Sequence, residues 1–235
     1  MQGTTLTGKN ALVTGGSRGI VAAIAKELAR KGAAGVAITY LGSKGKADEV
    51  AAEIVRLGAR AAVIQADILD EDFGPKVVQQ VLEGLGTSTL DVVVNNAALA
   101  DLKAQQPFQA ITPNTFKDVF VGNVYSPLCT TRAALPHLPA SGGRIINISS
   151  IASREPNFDP VMTYGASKTA LDSFTRSLAS MYAAEKKATF NSVSVGPTSG
   201  MTPGIYSPDL LKMSSIPWHA KCSATRPILA VLLNV

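Results

Sequence analysis

Residues 10–20, NALVTGGSRGI, join a short apolar run to a glycine-rich turn and to the start of a helical pattern. The apolar run predicts a buried strand, and apolar residues at helical spacing from Ile20 to Leu28 predict a helix that Gly32 ends. Glycines at such a junction let the chain turn sharply and let backbone N–H groups approach a pyrophosphate, whose charge the helix dipole favours. The stretch therefore predicts a strand–turn–helix unit that binds phosphate. The simpler alternative is an ordinary tight turn between strand and helix.

The same alternation of strand and helix patterns continues along the chain. Strands are predicted at 10–15, 35–40, 60–67, 90–97, 142–150 and 188–195, and helices at 17–32, 46–58, 72–86, 113–137 and 161–185. Apolar strands that alternate with helices indicate parallel pairing through crossovers, with helices on both faces of the sheet. Because no linker or repeat interrupts the pattern, we expect one doubly wound α/β domain over residues 1–235.

Composition narrows the class of protein. The chain has 235 residues, 46% hydrophobic and 17% charged, which fits one folded domain. The net charge of +5 is scattered without a basic run, so we expect no nucleic-acid partner, although it would suit an anionic cofactor. No apolar run approaches about 18 residues, the N-terminus lacks a signal-peptide pattern, and the cysteines and histidines lack metal-ligand spacing. These observations predict a cytoplasmic protein with no metal site and no membrane span.

A second motif, TYGASK at 163–168, lies within the last predicted helix. A helix brings residues four apart onto one face, so Tyr164 and Lys168 are neighbours. A phenol with an ordinary pKa of about 10 donates protons well, and a nearby ammonium favours the phenolate and lowers that pKa. The pair therefore predicts a proton donor with its own electrostatic partner. Taken alone, such a pair is common, and an exposed pair on a helix surface is the alternative.

The loop and the Tyr–Lys pair together resemble the short-chain dehydrogenase/reductase family, whose loop reads T-G-x-x-x-G-x-G. Thr14, Gly15 and Gly19 match this motif, whereas Val21 stands where the family usually has its last glycine. The resemblance covers about residues 8–204. It implies a Rossmann fold and an NADP-dependent enzyme, similar to the ketoreductase branch, that interconverts a carbonyl substrate and a secondary alcohol.

The family's catalytic roles carry over to four residues of this chain. Tyr164 is implied to be the acid/base and Lys168 to bind the nicotinamide ribose. Ser150, with Ser149 as the near alternative, is implied to polarise the carbonyl oxygen. Asn123 aligns with an asparagine that kinks a helix and holds a water of the proton relay, which is compatible with a buried amide that satisfies backbone groups.

The resemblance also implies a set of cofactor contacts around the carboxyl ends of the strands. These residues are Gly15, Ser17, Arg18, Gly19, Ile20, Ser43, Asp67, Ile68, Asn95, Ala97, Tyr164, Lys168, Gly196 and Thr198. No carboxylate follows the second strand before Asp48, and Ser43, Lys44 and Arg18 favour the 2′-phosphate of NADP over NAD. The alternative is that Lys44 and Lys46 simply solvate the start of a helix.

The end of the chain departs from the family pattern. Val195 and Gly200 replace the usual proline and threonine after the sixth strand. The stretch that begins at about residue 200 or 201 and ends at 219 is expected to be a substrate lid. The stretch 220–235 is atypical and short, so six strands are evident and the usual seventh is missing or divergent. Two alternatives follow: a catalytically impaired binding or scaffold protein, and an NAD-specific dehydrogenase. Pairing of helices 113–137 and 161–185 in the family implies a homo-oligomer, either a dimer or a tetramer.

Overall fold

The computed structural model describes residues 6–17, 19–101, 105–155, 157 and 159–196. Strands and helices alternate along this part of the chain. The strands are β1 (Asn10–Val13), β2 (Gly35–Tyr40), β3 (Arg60–Gln65), β4 (Val92–Asn95), β5 (Arg144–Ser150) and β6 (Thr189–Val195). The α-helices are α1 (Gly19–Arg30), α2 (Lys44–Arg56), α3 (Phe73–Leu85), α4 (Pro113–Phe120), α5 (Ser126–Ala134) and α6 (Met162–Lys186).

The strands form one parallel sheet in the order β3-β2-β1-β4-β5-β6. The direction of winding reverses between β1 and β4, where Val13 lies opposite Val94. In such sheets, ligands bind outside the carboxyl ends of the strands at this reversal. The predicted doubly wound α/β sheet with six evident strands is therefore confirmed. The expectation about a seventh strand concerns residues outside the described ones.

Different helices cover the two faces of the sheet. On the first face, apolar residues such as Val13 and Ile146 pack against α1 and α2. On the second face, Leu12 and Ile145 pack against α3, α5 and α6. The central strands β1, β2 and β4 are buried along their whole length, as expected for parallel strands between two helical layers.

The prediction of a single helix over 113–137 is wrong in detail. A capping box between Thr112 and Thr115 starts α4, and a π-helical turn, Val121–Tyr125, separates it from α5. Pro127 stands at the start of α5, where the missing N–H of proline is compatible with a change of hydrogen-bonding pattern. A 3₁₀ turn, Leu135–His137, ends the segment. The π turn places Asn123 in the interior.

Across the described ranges, the structure contains no helix that combines the length and the apolar character needed to cross a membrane.

Candidate active site

The glycine-rich loop joins β1 to α1 at the winding reversal. Gly15 and Gly19 have φ of +72° and +63°, in the left-handed region that glycine tolerates best. The N–H of Gly15 donates to Thr39 Oγ1 at 2.9 Å, which ties the loop to β2. Among the described residues, none would lie within 4 Å of a Cβ built on Gly19, so this part of the structure leaves the start of α1 open. Ser17 and Ile20 are both half-buried on either side of this opening.

Gly16 is a structurally constrained position of the loop that the sequence analysis missed. A Cβ at this residue would lie 2.7 Å from Ile38 Cβ on the neighbouring strand β2. Its N–H also donates to the carbonyl of Thr39 at 2.9 Å. Only glycine lets the loop pass this close to β2, and the doubled glycine at 15–16 was the available signal.

Thr14 connects the loop to the end of β4. Its Oγ1 accepts hydrogen bonds from the N–H groups of Asn96 and Ala97, at 3.0 and 3.1 Å. These bonds end β4 at Asn95 and hold Ala97 against Gly15, where a Cβ would lie 3.1 Å from Ala97 Cα. The matched threonine of the loop motif therefore has a structural role: it fixes the loop against the residues that follow β4.

The ends of β2 and β3 carry the other predicted cofactor contacts. Ser43 directly precedes α2, and the neighbouring Lys44 forms an exposed ion pair with Asp48 at 2.7 Å. Asp67 follows β3, is exposed, and accepts a hydrogen bond from the N–H of Leu69 at 2.9 Å. Ile68 is half-buried and lies beside the π turn, since a Cβ on Gly122 would be 3.0 Å from its Cδ1.

Asn95 is predicted to secure the end of β4 and to border the adenosine ribose. Its side chain is 2% exposed and turns into the second face of the sheet. Its Nδ2 donates to Asn147 Oδ1 at 2.9 Å and to Thr131 Oγ1 at 3.2 Å. The amide secures the end of β4, as expected, but any contact with a nucleotide would have to come from the backbone.

Tyr164 and Lys168 lie on successive turns at the start of α6. The ammonium nitrogen of Lys168 is 5.7 Å from the centroid of the Tyr164 ring. Lys168 is only 3% exposed and donates from Nζ to the carbonyl of Ile148 on β5 at 2.9 Å. Tyr164 is half-buried, so part of it is accessible. The helix thus brings the two predicted residues together, at the carboxyl end of β5.

The environment of Lys168 changes its proton affinity. Burial lowers the pKa of Lys168 to about 8, and the nearby carboxylate of Asp172 opposes this by raising it. Near neutral pH, the ammonium is therefore charged but holds its proton less firmly than an exposed lysine. This property suits a group that interacts with a phenol in proton transfer.

The two serines at the end of β5 occupy different environments. Ser150 is half-buried, and its Oγ accepts a hydrogen bond from the N–H of Ala152 at 3.2 Å. Ser149 is 3% exposed, and its Oγ has no hydrogen-bond partner. Because successive strand residues point to opposite faces, the two serine side chains lie on opposite sides of the sheet, and only one of them can contact a bound substrate. The greater exposure of Ser150 favours it over Ser149, because a group that polarises a substrate oxygen must be accessible.

Asn123 is completely buried within the π turn. Its side chain accepts from the N–H of Leu99 at 2.7 Å and donates to the carbonyl of Leu99 at 3.0 Å. It also donates to Ser167 Oγ at 3.1 Å, on α6 between Tyr164 and Lys168. The expected backbone-satisfying amide is present, and it links the loop after β4 to the helix that carries the Tyr–Lys pair.

Gly165 explains the small residues that follow Tyr164. A Cβ on it would lie 2.6 Å from Asn157 Cγ and 2.8 Å from the carbonyl of Ala152. Asn157 Nδ2 donates to that same carbonyl at 2.8 Å. The absent side chain therefore makes room for the segment after β5.

Several predicted residues cannot be located. Arg18 and Thr198 lie outside the described residues, as do the expected lid and the tail at 220–235. Gly196 directly follows β6. Within the ranges that the structure does describe, no three His, Cys, Asp or Glu side chains are grouped as metal ligands.

The chain is similar in sequence to known proteins. A profile described as short chain dehydrogenase matches residues 9–205. The short chain dehydrogenase penD of Penicillium thymicola is 50% identical over 195 residues, which are 83% of this chain and 70% of that protein. The chain belongs to the short-chain dehydrogenase family.

Other members of the family give more detail. The hydroxynaphthalene reductase-like protein Arp2 of Metarhizium robertsii is 38% identical over 192 residues, 82% of this chain and 69% of that protein. A short chain dehydrogenase of Burkholderia cenocepacia, solved in complex with NADP, is 37% identical. It has a TM-score of 0.84 and covers 97% of this chain and 91% of its own. The chain is thus similar to oxidoreductases, one of which was solved with a nicotinamide cofactor.

Two departures from the usual family motif are accommodated by the core. Val21 is 5% exposed and belongs to the apolar cluster between α1 and the sheet. Val195 ends β6 and packs against the same cluster. Both valines therefore point into protein. The third departure, Gly200, lies outside the described residues.

Proposed function

We propose that this short-chain dehydrogenase is an NADP-dependent oxidoreductase that interconverts a ketone and a secondary alcohol. One observation carries the proposal: the Lys168 ammonium is buried beside the Tyr164 ring at the carboxyl end of β5. A buried cation next to a half-exposed phenol is an arrangement that favours proton transfer to a bound oxygen atom. When bound, NADPH supplies the hydride.

Each side chain then has a defined task. The hydroxyl of Tyr164 donates its proton to the carbonyl oxygen of the substrate as that oxygen gains negative charge. Lys168 stabilises the resulting phenolate, because its ammonium is fixed on Ile148 and has little water around it. Ser150, at the end of β5, donates a hydrogen bond to the same substrate oxygen. Asn123 positions the start of α6 through Ser167.

The residues around the loop fit a dinucleotide. The opening at Gly19 leaves the first N–H groups of α1 accessible to a pyrophosphate. The first carboxylate after β2, Asp48, is already paired with Lys44 and is therefore not poised to bind a ribose hydroxyl. This supports NADP over NAD, as does the NADP complex of the Burkholderia relative.

A titration followed by a substrate panel tests this function. We expect NADPH to bind with at least about tenfold higher affinity than NADH, a difference of about 1.4 kcal/mol, as measured by fluorescence. A panel of aromatic and aliphatic ketones should then give a loss of NADPH absorbance with at least one substrate. Tighter binding of NADH would instead support the NAD-specific dehydrogenase. Failure of the folded protein to bind either cofactor would support the scaffold protein.

We also propose that the chain forms a homo-oligomer through α4, the π turn and α6. These elements expose large apolar side chains, including Phe116 at 47%, Tyr125 at 41% and Phe174 at 45%. Phe116 stacks on Phe120 with the ring centroids 4.5 Å apart, which gives this surface a flat aromatic part. Light scattering should give a dimer or tetramer mass, and Phe174→Glu should shift it toward the monomer. A wild-type monomer would contradict this assembly.

A further inference from the structure

The interface between α6 and the last two strands is polar below Lys168. Lys168, Asp172 and Thr175 lie on one face of α6, and their exposed fractions are 3%, 9% and 3%. Thr175 Oγ1 accepts from Asn147 Nδ2 on β5 at 2.8 Å. Asp172 Oδ1 accepts from Ser192 Oγ on β6. Helix and sheet are therefore joined here by hydrogen bonds, in place of the apolar packing found elsewhere.

The burial of the Asp172 carboxylate in this interface needs an explanation. A buried carboxylate loses the solvation that stabilises its charge, and one hydroxyl replaces only part of it. Lys168, one helical turn away, carries the opposite charge and is itself buried. The two side chains bind different strands, since Lys168 bonds to Ile148 of β5 and Asp172 to Ser192 of β6.

No other charge in the described elements that pack against α6 competes with this pair. β6 has no charged residue, and neither has the 3₁₀ turn Ile151–Ser153. β5 has Arg144 at its far, amino end, and the π turn has Tyr125, whose ring is 41% exposed. The charges of α4, Lys117 and Asp118, are exposed to solvent, and so are Arg132 of α5 and Arg176 of α6. Asp172 is thus the buried charge that acts on Lys168.

We propose that Asp172, anchored by Ser192, is a positioning residue that keeps the buried ammonium of Lys168 charged and in place beside Tyr164. The carboxylate offsets the loss of solvation that burial imposes on Lys168. The hydrogen bond from Ser192 on β6 holds the carboxylate in place. Its catalytic meaning rests on the proposed function, but its effect on the proton affinity of Lys168 does not.

The test measures Lys168 directly in the cofactor-free protein. Lysine labelled at ¹³Cε and ¹⁵Nζ gives an NMR signal for Lys168, assigned by its loss in Lys168→Arg. We expect its titration midpoint in wild type to be near 8. Asp172→Asn, which keeps the shape and removes the charge, should lower the midpoint by at least about one unit. Asp172→Glu should restore most of that shift.

Two further variants keep the test decisive. Ser192→Ala should produce a smaller shift in the same direction, and it serves in place of Asp172→Asn if that variant does not fold. Asp118→Asn removes an exposed carboxylate from α4 and should leave the midpoint unchanged. A Lys168 midpoint that is the same in wild type and in the folded Asp172→Asn or Ser192→Ala variant would overturn the proposal.

Kinetics separate this proposal from the proposed function. With a ketone that the wild type reduces, Asp172→Asn should shift the alkaline limb of the profile of kcat/KM against pH in the same direction as the NMR midpoint. If no ketone is reduced but the NMR shift is present, the function fails and the role of Asp172 stands. If turnover is present and the limb and the midpoint do not move, the role of Asp172 fails and the function stands.

Discussion

Toward their carboxyl ends, strands β5 and β6 have opposite characters on the two faces of the sheet, whereas nearer their amino ends both faces are apolar. On the first face, Ile146, Ile148 and Val193 belong to the apolar cluster with α1 and α2. On the second face, Asn147 and Ser192 bond to α6. Apolar burial costs little and stabilises the fold, whereas buried polar groups gain little net free energy even when they are paired. At this end of the two strands, the first face therefore contributes apolar packing, and the second holds the polar groups that bond to α6.

The first prediction breaks the apolar face. Val193 is 7% exposed within that cluster. Val193→Ser removes buried methyl groups and introduces a hydroxyl without a partner, so it should lower the free energy of unfolding by about 2–3 kcal/mol. Urea denaturation followed by circular dichroism measures the change. A loss below about 0.5 kcal/mol would show that this face does not stabilise the sheet as described.

The second prediction concerns the stability cost of the buried ammonium. The folded-state pKa of Lys168 is about 8, below its ordinary value of 10.5, so the unfolded chain binds more protons between these values. The cost is fully present below pH 8 and is relieved as the pH rises. Relative to Lys168→Met, cofactor-free wild type should gain about 2 kcal/mol between pH 7 and pH 9.5.

This difference isolates Lys168, because all other titrating groups are shared by the two proteins. Denaturant titrations of both at several pH values measure it. A stability difference that is independent of pH would mean that Lys168 titrates as an exposed lysine does.

The third prediction is the smallest and sharpens the contrast between the faces. Ser194 neighbours Val193 on β6 but points to the other face, and its buried Oγ has no hydrogen-bond partner in the described part of the chain. Ser194→Val loses no hydrogen bond and should change the free energy of unfolding by less than about 0.5 kcal/mol. Val193→Ser serves as the matched control. A loss of 2 kcal/mol or more, roughly that of a core deletion, would show that the hydroxyl has an unseen partner.

Much of the fold could be predicted because parallel strands and their helices leave local patterns. The strand and helix regions follow from periodicity, and the first βα turn is marked by its glycines. The family resemblance implied a kink at Asn123, but the residues around it do not show the π turn, because Asn123 is held there by Leu99 and Ser167, far away in sequence. For the same reason the inward turn of Asn95 and the close passage of Gly16 past Ile38 were not visible.

The candidate site divides in the same way. The Tyr164–Lys168 spacing is local, so the helix alone brings those residues together. Asp172 and Ser192 are separated by 20 residues and meet only because β6 pairs with β5 beneath α6. The sequence shows alternating polar and apolar residues in 188–195. It does not show that one of the polar residues, Ser192, binds the carboxylate of Asp172. Partners that meet through strand pairing need the three-dimensional structure.

The central claim is that the hydroxyl of Tyr164 transfers the proton, and Tyr164→Phe tests it most directly. This variant removes one oxygen and keeps the ring that lies 5.7 Å from Lys168 Nζ. NADPH affinity by fluorescence should stay within about twofold of wild type, which is less than about 0.5 kcal/mol. Ketone turnover, followed by NADPH absorbance, should fall by about 10²- to 10⁴-fold. A variant that binds NADPH normally and still reduces the ketone at the wild-type rate would contradict the claim.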